Sequence, residues 1–227
     1  MFISTPPASD VKRCIEAFDS RFAEMDRALW RLSRAATEAI LARKRSEVTE
    51  VFVWTIKSWW GIQGVRRETK IIAADALLDM DLDQRWLAPE SAIDPDGEQF
   101  AVELVADFVA RMSCQGVPRR EWSFASKILH WLMPWKIPVY DSFVKQSLGI
   151  SANADHKKAY REIVRVKFAV ARQLLAAGSD WLGEVAPRSP FRALDKYFWW
   201  IGGGRCGQAR VVTDPWQKVR PLGVSVR

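Results

Sequence analysis

Residues 122–145 carry the pattern that decides the fold, and they read WSFASKILHWLMPWKIPVYDSFVK. The apolar positions over 123–133 predict a helix with one core face, which must end at Pro134 because the proline ring clashes with a continuing helical turn. Residues 138–140 are predicted to be extended, and a short helix follows, capped by Asp141 or by the serine after it and closed by a glycine. The block therefore predicts a helix, an extended link and a second helix.

Four polar side chains in this block are candidates for chemistry. Helical spacing places Ser123, Lys127 and His130 on one face, beside the apolar face of the first helix. Asp141 lies at the N-terminus of the second helix, where exposed amides and the helix dipole favour an ionised carboxylate. A fixed anion there can stabilise a developing positive charge or orient a water molecule. Asp141 also fits a plain capping role, because aspartate is among the commonest N-cap residues.

Outward from this block, the chain is predicted to be mostly helical. Apolar positions at helical spacing predict helices over about 10–45, 48–60, 68–78, 98–112, 155–177 and 190–201, with Ser9 and Asp10 capping the first. Almost nothing alternates with the two-residue period of a strand. We expect a mostly α fold with a sizeable core, since 48% of the 227 residues are apolar.

Charge is unevenly distributed along the chain. Lys and Arg number 34 against 27 Asp and Glu, which gives a net charge of +7. Residues 74–107 hold ten acids and one arginine, whereas residues 111–177 hold twelve cations and four acids. A polyanion is therefore a reasonable partner, although a basic surface also serves solubility alone.

Cysteine usage and hydropathy exclude several classes of protein. Cys14, Cys114 and Cys206 are too far apart to build a four-thiolate metal site, and a disulfide framework is equally improbable. The two histidines, His130 and His156, are too isolated to hold a metal, and we expect no cofactor. No stretch approaches the roughly 18 apolar residues of a membrane span, and the N-terminus lacks a signal-peptide pattern. We expect a cytoplasmic protein that does not enter membranes.

The block around Asp141 resembles the helix-hairpin-helix DNA glycosylase superfamily. Its order is Ala-Ser-Lys, an apolar helix, a proline, and then IPVYDSFVK over residues 137–145. It is most similar to bacterial proteins described as similar to 8-oxoguanine DNA glycosylase, and its spacing also resembles adenine glycosylase and endonuclease III. The resemblance implies that Asp141 is the catalytic aspartate. It also implies that Lys127 forms an imine with the sugar, or that Ser123 holds that position in an enzyme that uses water instead.

The chain departs from the family pattern in three places. Residues 116–121, GVPRRE, replace the usual Gly-x-Gly hairpin, and Arg119 and Arg120 can take over its phosphate contacts. The four-cysteine cluster loop of endonuclease III is absent, which moves the chain towards the cluster-free branches. Lys127 comes about one turn after the lysine of endonuclease III, so Lys127 and Ser123 both remain candidates.

A second match lies upstream, where WWGIQG over residues 59–64 resembles the family's apolar helix and the loop whose glutamine fills the gap left by an extruded nucleotide. The resemblance assigns DNA contacts to Gln63, Arg66, Arg67, Arg119, Arg120 and Lys145, and a base pocket to Trp59, Trp60, His130 and Tyr140. The alternatives are a solvent-facing glutamine, solvated charges and tryptophans that belong to the core.

The resemblance implies one two-lobed domain over residues 1–227, with a cleft between helical lobes. Residues of about 48–150 would form the lobe with the hairpin-like element and the catalytic aspartate, and residues 1–47 with 151–227 would form the other. We expect a monomer that flips a modified base out of duplex DNA and hydrolyses its N-glycosidic bond. The reaction would serve base-excision repair, or bacterial defence against phage DNA that carries modified cytosine. The alternatives are a non-catalytic DNA-binding protein with the same fold, and an interaction protein whose acidic segment, 74–107, docks a basic partner.

Overall fold

The computed structural model describes residues 5–44, 46–59, 67–82, 93, 96–117 and 121–203, without the side chains of Trp59 and Arg67. This part of the chain contains eight α-helices and no strand, which confirms the prediction of a mostly α fold. The helices are α1 (Ala8–Leu41), α2 (Glu47–Trp59), α3 (Arg67–Asp79), α4 (Gly97–Cys114), α5 (Trp122–Leu132), α6 (Ser142–Ser147), α7 (His156–Ala176) and α8 (Pro190–Ile201). A 3-10 turn at Asp180–Leu182 precedes α8.

Local sequence explains where most of these helices begin and end. α5 stops two residues before Pro134, which cannot continue a helix. α6, α7 and α8 start directly after Asp141, Asp155 and Ser189, and each of these side chains accepts a hydrogen bond from an amide in the first turn. The predicted caps of α1 are wrong, because its N-cap residue is Pro7, without a side-chain cap.

α5 lies at the centre of the packing. It contacts α1, α2 and α4, and every residue from Phe124 to Leu132 is buried. The sequence pattern predicted an apolar face beside a polar one, but a helix that is enclosed by other helices is buried all round. Lys127 and His130 are therefore core residues.

The flanking helices complete the enclosure. α1 packs against α2 and α8, α7 packs against α4 and α8, and α8 packs on α6. A contiguous apolar cluster runs from Val11 in α1 to Trp200 in α8 and includes residues of both predicted lobes. The division into two lobes around a cleft stays a prediction. None of the described helices is long and apolar enough to cross a membrane.

Candidate active site

The site centres on a contact between Lys127 and Asp141. The Lys127 Nζ lies 2.8 Å from Asp141 Oδ2, and Asp141 Oδ1 accepts a hydrogen bond of 2.9 Å from the Phe143 amide. The side chains are 3% and 10% exposed, respectively. Asp141 thus caps α6, as the sequence predicted, and also pairs with a lysine from α5.

The extended link that delivers Asp141 is held by side chains rather than by a sheet. In the structure the link covers residues 137–140, and each of these four residues has one backbone polar group bonded to a completely buried side chain. His130 Nδ1 lies 2.6 Å from the Ile137 carbonyl oxygen, Tyr160 donates to Pro138 at 2.9 Å, Lys167 donates to Val139 at 3.3 Å, and the Tyr140 amide donates to Ser126 Oγ at 2.9 Å. Since buried backbone groups need such partners, these four contacts fix the path of the chain into Asp141.

Behind this link lies a buried charge network, defined here as Asp19, Asp26, Lys167, Arg192, Asp195 and Lys196. It joins α1, α7 and α8 through three carboxylates and three cations. Lys167 Nζ is 3.3 Å from Asp195 Oδ1, and Arg192 bridges Asp195 at 2.7 Å and Asp26 at 2.6 Å. The charges balance within the network, as buried charges must.

Burial and pairing change the ionisation of several of these groups. Burial raises the pKa of Asp195, but Lys167 and Arg192 outweigh it and hold that pKa below its usual value. Burial lowers the pKa of Lys167, and Asp195 offsets only part of the effect. Burial also lowers the pKa of His130 to about 4, so its ring is neutral at pH 7 and its Nδ1–H donates to the Ile137 carbonyl.

The two candidates for the nucleophile position, Lys127 and Ser123, differ in their contacts with Asp141. Lys127 contacts Asp141 directly, whereas Ser123 lies one turn earlier on α5, partly exposed, with its carbonyl accepting a hydrogen bond from the Ser126 hydroxyl. Lys127 is therefore the residue that the fold pairs with the aspartate.

Three residues predicted to contact DNA or a base have contacts within the protein. His130 is completely buried, and its place in a base pocket stays a prediction. Tyr140 is buried with its hydroxyl 2.9 Å from His156 Nδ1, and burial, followed by Asp155, raises its pKa to about 12. The Lys145 amine donates to the Ala152 carbonyl at 3.1 Å, and burial lowers its pKa. Since an ammonium group has three N–H donors, this hydrogen bond leaves donors for a phosphate contact, which stays a prediction.

Other predicted DNA contacts lie outside the described residues. These are Trp60, Gln63, Arg66, Arg119 and Arg120, together with the side chains of Trp59 and Arg67. Their roles stay predictions.

Sequence reasoning missed Lys167 and Asp195. A signal was present, because Lys167 falls on the buried stripe that Tyr160, Ile163 and Leu174 mark along α7. A charged residue at a core position of a helical pattern needs a buried partner, and the sequence does not say which residue that is.

The site has little capacity for a metal and is separate from a surface cavity. Among the described residues, no group of three or more His, Cys, Asp or Glu side chains could hold a metal ion. A cavity of about 560 Å³ lies between α2 and α3, lined by Glu47, Glu50, Val51, Trp54, Thr55, Ser58 and Ile71. Neither Lys127 nor Asp141 is among its lining residues.

Comparison of the chain with models of known protein families, with curated proteins and with solved structures finds no match.

Proposed function

We propose that this chain is a DNA glycosylase that hydrolyses the bond between a modified base and deoxyribose in duplex DNA. Asp141 is the carboxylate that stabilises the reacting sugar, and Lys127 is the amine beside it. The observation that supports the proposal most is the 2.8 Å contact between these side chains, which are 14 residues apart in sequence. The resemblance implied catalytic roles for the same two residues.

The reaction requires the target nucleotide to leave the base stack, because the duplex shields the glycosidic bond. As the bond breaks, the base takes the electron pair and a proton from solvent, and the sugar becomes oxocarbenium-like. The Asp141 carboxylate stabilises that positive charge. The oxygen of a water molecule bonds to C1′, and one of its protons passes to Asp141 and from there to solvent. Where Lys127 attacks instead, its ammonium first passes a proton to Asp141, and the neutral amine bonds to C1′ as the base leaves with the electron pair and a proton from that nitrogen. The C1′–O4′ bond then breaks, O4′ takes the electron pair and the proton from Asp141, and the resulting imine permits strand cleavage.

Access to this pair is the main requirement of the proposal. Both side chains are nearly inaccessible in the described conformation. A deoxyribose can reach them only if the Lys127–Asp141 contact opens. The burial favours a second candidate function, a non-catalytic DNA-binding protein in which the pair only ties α5 to α6.

A panel of duplexes tests the proposal. The panel contains oxidised purines, alkylated purines and bulky modified cytosines, because repair and phage defence predict different substrates. Excision is measured as the number of abasic sites formed. We expect Asp141→Asn to slow excision by about 10²–10⁴-fold, which is the usual contribution of acid–base catalysis, while DNA affinity stays within about threefold. Asparagine still caps a helix, so α6 should persist.

Asp155→Asn is the matched control. Asp155 also caps a helix, α7, but it is exposed and accepts its hydrogen bond from the Lys158 amide. Its excision rate should match that of the wild type. Unchanged turnover in Asp141→Asn would refute the assignment. Salt-sensitive DNA binding by the wild type with no excision on any duplex would favour the non-catalytic alternative.

The amine is tested without knowledge of the base. Borohydride reduces an imine between a lysine and an abasic sugar to a stable cross-link. A cross-link on abasic duplex that disappears in Lys127→Gln would assign the imine to Lys127. Excision without any cross-link would assign the reaction to water.

A further inference from the structure

Lys167 is a buried cation that the reaction above does not use. It projects from α7 with no exposed surface, and its Nζ lies 3.3 Å from both the Val139 carbonyl oxygen and Asp195 Oδ1. A lysine in such a place is costly unless its amine is fully engaged. Its two contacts therefore indicate the structural role of the Lys167 charge.

The Val139 carbonyl belongs to the extended link, two residues before Asp141. The other three side chains that hold this link are Ser126, Tyr160 and neutral His130. Lys167 supplies the charge-assisted contact among the four, and such contacts are about twice as strong as neutral hydrogen bonds. Its 3.3 Å contact is the longest of the four, so Lys167 acts through its charge on the direction in which the chain enters Asp141.

Lys167 also joins the link to the buried charge network. Asp195, which accepts from Lys167, is bonded in turn to Arg192, and Arg192 is bonded to Asp26 on α1. The position of the Val139 carbonyl is therefore tied to three helices rather than to α7 alone. Lys167 and Asp141 are close enough for their charges to interact.

We propose that Lys167 is a positioning residue for Asp141. With Asp195 it holds the Val139 carbonyl, and so it sets the placement of the Asp141 carboxylate relative to Lys127 and to a bound sugar. This inference rests on the proposed glycosylase activity. Lys167 does not touch the reacting atoms, so it changes the rate only through the geometry of Asp141.

The chain offers a matched control in Lys196. This lysine is also buried in the same network, but its amine contacts Asp19 and Asp26 at the α1 side. Lys167→Met and Lys196→Met therefore remove the same group from two places in the network. A merely structural network would respond to both changes alike.

The experiment measures single-turnover excision, DNA affinity and thermal unfolding for both variants. We expect both variants to unfold at a lower temperature than the wild type. Only Lys167→Met should slow excision, by about 10–100-fold, while its DNA affinity stays unchanged. The reason is that a misplacement of a reacting group by about 1 Å can cost about 10²-fold in rate. If Lys167→Met fails to fold, the double variant Lys167→Met/Asp195→Asn keeps the charges balanced and should show the same slow excision. Equal slowing in the Lys167 and Lys196 variants, or less than twofold slowing in the Lys167 variant, would overturn the inference.

Hydrogen exchange separates this inference from the proposed function. The Phe143 amide is bonded to Asp141, and the Tyr140 amide is bonded to Ser126. Lys167→Met should speed exchange of both amides about tenfold or more relative to Lys196→Met, even if no duplex is a substrate. Unchanged exchange at both amides would overturn the positioning role, whereas a wild type without excision would overturn the proposed function alone.

Discussion

At the scale of single residues, His130 shows how enclosure converts a titratable side chain into a structural one. Burial holds its pKa at about 4, below the usual 6.5. Protonation therefore favours the unfolded chain. The stabilisation from the neutral ring is complete above about pH 6.5 and is lost as the pH falls towards 4. A shift of this size corresponds to roughly 3 kcal/mol.

We predict that the free energy of unfolding falls by up to roughly 3 kcal/mol more in the wild type than in His130→Gln between pH 7 and pH 4. Glutamine can donate to the Ile137 carbonyl but does not titrate. Urea unfolding at several pH values measures the difference. Parallel curves for the wild type and His130→Gln would contradict the prediction.

The residues of the site differ in how far the sequence predicts them. Asp141 is predictable because its cap depends on neighbours in the chain. Lys127 was a candidate through the resemblance, but its contact with Asp141 depends on how α5 packs. Lys167 was not predicted. Its partner, Asp195, is 28 residues away in sequence, and the two meet only because α7 packs against α8.

At the scale of helices, the junction of α8 and α6 is a close backbone contact. A Cβ at Gly202 would overlap the Phe143 carbonyl, whose carbon would lie only 2.7 Å away. The φ angle of Gly202 is −76°, which suits any residue, so the contact rather than the backbone angle requires glycine. This contact lies at the first turn of α6, immediately after Asp141.

We predict that Gly202→Ala lowers the free energy of unfolding by about 1–3 kcal/mol through overpacking and also slows excision. Gly149→Ala is the control, because Gly149 has a φ of +67° and open space around its Cβ position. It should cost about 1–2 kcal/mol through backbone strain, without an effect on excision. Urea unfolding and the excision assay measure both. Normal excision in Gly202→Ala would show that α6 accommodates the methyl group without moving Asp141.

Helix positions were the most predictable feature of the fold. The spacing of apolar residues, together with prolines, glycines and capping residues, located all eight described helices to within a few residues. These signals depend only on residues within or next to one helix. The complete burial of α5 was not predicted, since it depends on how many helices surround it. The predicted caps of α1 failed because the helix begins at Ala8, so Ser9 and Asp10 lie within its first turn.

At the scale of the whole molecule, the buried charge network joins α1 to α8. Asp26 accepts two hydrogen bonds from Arg192, 166 residues away in sequence, and pairs with Lys196 at 3.0 Å. We predict that Asp26→Asn lowers the free energy of unfolding by about 3–5 kcal/mol, because it leaves buried cations without their anion. Chemical denaturation measures the loss.

Asp10→Asn is the control for this prediction. Asp10 also pairs with an arginine, Arg13, but that arginine is 63% exposed. The change should alter the free energy of unfolding by no more than about 1 kcal/mol, as for other exposed pairs. Similar losses in the two variants would show that the network contributes no more than a surface pair.

The net charge of +7 leads to a prediction for DNA binding. If the protein neutralises three phosphates, its affinity for duplex DNA should fall about 40-fold between 50 mM and 200 mM salt. Titration of a labelled duplex at several salt concentrations measures the slope. An affinity for DNA that is weak and insensitive to salt would favour the interaction protein over both DNA-binding alternatives.

The link between Asp26 and Arg192 also constrains how the protein is made. A ribosome synthesises α1 early, but the guanidinium that neutralises Asp26 is added 166 residues later. Until then, the nascent α1 carries an unmatched negative charge on the face that will later be sealed. Native packing of this helix therefore waits until α8 has emerged from the exit tunnel, and a chain truncated before α8 cannot complete it.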